Sequence, residues 1–100
     1  MVPGTDDILV SGRYRDILAR VIDDQGGTDH LSESRLQLSR RFAASAAIAE
    51  QMEARLARGE EINVTQHAVL CNTLVRIAQI IGVDRTARER APKLRDYLRS

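Results

Sequence analysis

The 100 residues carry 15 Lys/Arg against 14 Asp/Glu, a formal net charge of +1, so no whole-molecule field pulls this chain onto nucleic acid or a membrane. Hydrophobic residues at 43% and charged residues at 29% exclude wholesale disorder, and the length suits one domain with a modest core. The three aromatics, Tyr14, Phe42 and Tyr97, give little large apolar surface, which favours burial against copies of the same chain, and the lone Cys71 excludes an internal disulfide.

Residues 1–11, with Pro3, Gly4 and Ser11 around Ile8-Leu9-Val10, read as a flexible arm. With Ser11 as a possible N-cap, Tyr14, Ile17, Leu18, Val21 and Ile22 follow the i, i+3, i+4, i+7, i+8 rule of an amphipathic helix. Its outer face carries Arg13, Arg15, Asp16, Arg20, Asp23 and Asp24, and Gly26-Gly27 stops it. Ser32 then caps a long helix over 32–58, with Glu33 in its first turn. Leu31, Leu38, Phe42, Ala49, Met52 and Leu56 share one face of that helix. The run from Ala43 to Ala49 serves either helix propensity or close approach of another helix. Glu50, Gln51, Glu53, Arg55 and Arg58 read as a solvated face.

Gly59 ends the long helix, and a short polar link leads to a second one over 63–81, with Asn63 and Gln66 at capping-box spacing and Gly82 at its C′ position. His67, Cys71, Leu74, Ala78 and Ile81 form its inward stripe. Val69, Ile77 and Ile80 lie outside that stripe, along with Leu70 and Val75, leaving only Thr65, Asn72, Arg76 and Gln79 as a wet strip. Apolar residues over so wide an arc predict an oligomer interface at Val69, Ile77 and Ile80. Beyond Gly82 the chain turns basic, six basic residues against three acidic ones, with Pro92 fitting the first position of a last helical turn. The expected fold is all-α: a long antiparallel hairpin over 32–82 within a helical domain 12–83, a short N-terminal helix and a short C-terminal helical tail within 84–100.

No nucleophile has a positioned base, no glycine-rich loop cradles phosphate, and Glu60-Glu61 reads as a solvated linker, so the chain is expected not to be an enzyme. His67 and Cys71, four apart on one helix face, have the spacing of two metal ligands. The only other histidine is His30 and no second cysteine exists, so neither metal nor cofactor is assigned. Cys71 is read as a small buried hydrophobe and His67 as a hydrogen-bonded or interfacial polar residue. Arg13, Arg15 and Arg20 on one helix with Arg35, Arg40 and Arg41 on the next are the candidate phosphate contacts, a set that an oligomer would multiply. No apolar run approaches the roughly 20 residues of a membrane span and no signal peptide is visible, so a cytoplasmic protein is expected.

The stretch DDQGGTDHLSESRLQLSRRFAASAAIAEQMEARLARGEEI, followed by LCNTLVRIAQIIGVDR and PKLRDYL, resembles small terminase subunits encoded in prophage and gene-transfer-agent clusters beside the large terminase. The resemblance spans about residues 13–98. It implies a non-catalytic, ring-forming homo-oligomer that engages double-stranded DNA with low sequence specificity and recruits the large terminase subunit for genome packaging. Many small terminases carry a full helix-turn-helix domain at the N-terminus, whereas one short helix is expected before Gly26. The segment Pro92–Leu98 is the implied docking element, with Leu94, Tyr97 and Leu98 as apolar anchors. The alternative is a prophage-borne helical adaptor or regulator that binds protein only.

Overall fold

A computed structural model describes residues 5–83 of the chain, all of it helix or connection, with no strand among them. Among the described residues there are three α-helices: α1 (Thr5–Asp24), α2 (Glu33–Ala57) and α3 (Val64–Ala78). A 3-10 turn, Thr28–His30, lies between α1 and α2, and α3 runs on into a π turn, Gln79–Val83. The tail 84–100, and with it the docking candidates Leu94, Tyr97 and Leu98, lies outside the described residues.

The caps follow the local chemistry. Ser32 Oγ accepts from the Arg35 N–H at 3.2 Å and Asn63 Oδ1 from the Gln66 N–H at 3.0 Å, each satisfying a donor that the first helical turn leaves open. Both exits from a preceding helix are Schellman turns on a left-handed glycine. Gly26 (φ 97°) donates to the Asp23 carbonyl and Gly27 to that of Ile22; Gly59 (φ 84°) donates to the Leu56 carbonyl and Glu60 to that of Arg55. Gly82 lies inside the π turn rather than past a helix end, so α3 carries on through the position expected to stop it.

α1 corrects the expected arm and short helix. It begins at Thr5, not after Ser11, and spans 20 residues. Val10 packs against the core and extends the Tyr14, Ile17, Val21 stripe back by one turn. The helix runs through Gly12, where an added Cβ would meet open space.

α2 is the central element. Arg13 reaches Glu50 at one end of the α1–α2 seam and Gln25 reaches Ser39 at the other, so these helices run antiparallel. On the other side Arg35 reaches the Ile80 carbonyl and Glu53 reaches His67, so α2 and α3 also run antiparallel. α1 and α3 pack on α2 and scarcely on each other. The alanine run is what allows this. Ala43 and Ala47, 0% and 2% exposed, meet Ile17 in the core, flanked by Tyr14, Leu18, Val21, Phe42 and Ala46. Ala49, also buried, lies one turn before Glu53 on the stripe that meets α3. Small side chains on both sides let two helices approach one.

Candidate functional site

Two groups of side chains carry chemistry: the arginines of α1 and α2, and a cluster across the α2–α3 seam. The arginines do not converge. Arg13 forks onto Glu50, donating from Nε at 2.8 Å and Nη2 at 3.2 Å, and donates from Nη1 to Asp16 at 2.7 Å. The hydrogen bonds to the Glu50 carboxylate, and then its charge, raise the Arg13 pKa above its already high ordinary value. Asp16 also lies 3.8 Å from Arg20. Arg35 donates to the Ile80 carbonyl and Arg41 to both the Gln37 carbonyl and its side-chain oxygen. Arg15 projects about 200° around α1 from Arg13, away from this network. Among the described residues Arg15 and Arg40, both exposed, have no ion pair. The expected six-arginine patch is thus divided: Arg13 and Arg20 share carboxylates, Arg35 braces α3, and Arg15, Arg40 and Arg41 face outward. Glu50, expected to be merely solvated, is the acceptor that takes Arg13 out of the patch.

Beside this pair, Leu9, Val10, Arg13, Ala47, Glu50, Gln51 and Ala54 line an open groove of about 280 Å³ on the α1–α2 seam. It offers no nucleophile with a base, only the Arg13–Glu50 fork on its wall.

The second group is compact. Glu53 Oε2 lies 2.8 Å from His67 Nε2, and Cys71 Sγ lies 3.8 Å from both ring nitrogens of His67. One donor atom from each of the three residues falls within 4.8 Å of the others. His67 and Cys71 are half-buried and Glu53 is exposed. α3 sets two of these side chains one turn apart, and the antiparallel register of α2 brings the third opposite. The reading of His67 as a hydrogen-bonded polar residue agrees with this geometry, but Glu53 does not belong to a merely solvated face. Counting back from the 59–62 link places residue 53 opposite 67, which is the signal that would have found it.

Protein-family models, curated proteins and solved structures contain no match to this chain. The functional reading therefore rests on its own residues.

The expected interface residues separate. Ile77 is 6% exposed and buried inside the chain, because it continues the Leu70, Leu74, Ile81 stripe against α2. Val69 and Ile80 are 58% and 50% exposed, on one flank of that stripe; Val64 and Val75, 72% and 56% exposed, lie on the other. No helix among the described residues is long and apolar enough to cross a membrane.

Proposed function

We propose that this chain is a small-terminase-like, non-catalytic subunit that assembles with copies of itself, engages double-stranded DNA loosely and recruits a large terminase for genome packaging. The observation that carries the reading is the double apolar flank of α3. Its Val69–Ile80 pair and its Val64–Val75 pair are half exposed or more, on opposite sides of a helix that packs chiefly on α2 among the described residues. A subunit in a closed ring needs two different contact faces, one for each neighbour, and an element left apolar on both flanks fits that need.

For DNA, the outward Arg15, Arg40 and Arg41 support backbone contact, and none has a carboxylate partner among the described residues. A single copy gives few such contacts. Repetition around an assembly adds them through effective concentration, without base recognition. The C-terminal tail remains the docking candidate for the large subunit. The test is native mass joined to DNA retention as salt is raised. Oligomers well above one chain are expected, with retention that falls steeply with salt. Replacing Arg40 and Arg41 by alanine should weaken binding and flatten the salt slope by about 0.9 for each phosphate no longer neutralised. A monomer at micromolar concentration refutes the assembly; an oligomer with no DNA retention leaves a helical adaptor that binds protein only.

A further inference from the structure

We propose that Glu53, His67 and Cys71 form a binding site for one zinc-class divalent ion per chain, with a fourth coordination position open to water. The proposal stands apart from assembly and DNA binding; it concerns the seam between α2 and α3. The three residues supply a carboxylate oxygen, an imidazole nitrogen and a thiol sulfur, the mixed donor set that zinc accepts and that magnesium and calcium, which take oxygen ligands, do not. With metal–ligand bonds of about 2.0–2.3 Å, tetrahedral geometry places donor atoms roughly 3.3–3.7 Å apart. The Cys71–His67 spacing of 3.8 Å is within about 0.1 Å of that edge, and the Glu53 and Cys71 donors, within 4.8 Å of each other, have to close by at most about 1 Å. The 2.8 Å Glu53–His67 contact must open by about 0.5 Å to admit an ion, an adjustment within reach of the exposed Glu53 side chain.

Position argues the same way. His67 and Cys71 come from successive turns of one helix and Glu53 from the facing helix, so both elements hold the donors before an ion arrives. His67 and Cys71 are half-buried, which shields the sulfur, while the exposed Glu53 leaves an entry path and room for water. An ion held there clips α3 to α2 near the 58–63 link. It binds the folded hairpin and not the unfolded chain, where the donors are scattered, so binding stabilises the fold. The competing account is a His–Glu hydrogen bond beside a half-buried thiol that only fills space.

Titration of the full, reduced chain with cobalt(II), followed by displacement with zinc, decides between them. Expected are one ion per chain, a thiolate-to-cobalt charge-transfer band in the near ultraviolet with the visible bands of tetrahedral cobalt, and a rise in Tm with zinc. Cys71→Ser should abolish the charge-transfer band. Glu53→Gln, at an exposed position that leaves the helices intact by circular dichroism, should weaken zinc binding at least about tenfold. Absence of the charge-transfer band, one ion per two chains, or binding unchanged in Glu53→Gln each overturns the site. If Cys71→Ser fails to fold, the Glu53→Gln affinity still decides.

Discussion

Ser39 sits fully buried near the end of the α1–α2 seam where α1 stops, and its hydroxyl both donates and accepts. It donates to the Arg35 carbonyl at 2.8 Å and accepts from Gln25 Nε2 at 2.8 Å. Gln25 Nε2 also donates to the Val21 carbonyl at 3.1 Å, and its Oε1 is buried without a hydrogen-bond partner. Gln25 thus fixes the end of α1 to α2 while already carrying one unsatisfied atom. Removing the Ser39 hydroxyl strips Gln25 of a second partner in a place water does not reach. Ser39→Ala is expected to destabilise the chain by about 1–3 kcal/mol, read as a lower urea midpoint with unchanged slope. Neither residue stands out in the sequence. Gln25 looks like the last polar residue before a glycine stop and Ser39 like one polar position on a long helix; only the register that pairs them reveals their role. Glu53 is hidden for the same reason, whereas the four-residue spacing of His67 and Cys71 is local and readable.

At the level of elements, the helix boundaries legible in the sequence are those set by chemistry within a few residues. Ser32, Asn63, Gly26 and Gly59 each act on their own turn, and each lies where the sequence placed it. The start of α1 is not legible this way, because Ser11 resembles an N-cap and the residues before it resemble an arm, whereas Val10 contributes to the core and the helix runs through Gly12 at a cost of roughly 1 kcal/mol. The left-handed φ of Gly59 gives a direct test. Gly59→Ala forces an L-residue to φ 84° and is expected to lower stability by about 1–2 kcal/mol in chemical denaturation, even though no atom lies within 4 Å of the new Cβ. The penalty is one of backbone conformation alone, so Gly12→Ala, in an equally open but helical position, should have the opposite sign.

Across the whole molecule, all-α architecture and an incompletely covered third helix are both readable from apolar periodicity, but the assignment of each residue to core or surface is not. Ile77 and Ile80 are three positions apart and equally hydrophobic, yet one is enclosed and the other half exposed. The wide apolar arc of α3 is visible in the sequence; its centre is not. The two flanks also distinguish kinds of assembly. A two-fold dimer uses one patch on both copies, whereas a ring uses two different patches. In the ring, Ile80→Glu and Val64→Glu each reduce native mass, and an equimolar mixture of the two variants regains pairwise association through the intact faces. In a dimer, only one of the substitutions lowers mass, as sedimentation velocity would show.

Because α1 and α3 each dock on α2 and scarcely touch one another, every tertiary seam among the described residues joins helices that are neighbours along the chain. Closing each seam means closing only a short connection, 25–32 or 58–63, so the loop entropy to be overcome before contacts form is small. Such a topology has low contact order, the condition for folding on the microsecond-to-millisecond scale. The alanine-rich middle of α2 forms helix with little help from packing. It is therefore the natural nucleus: either neighbour can condense onto it first, and the order in which they do so need not be unique.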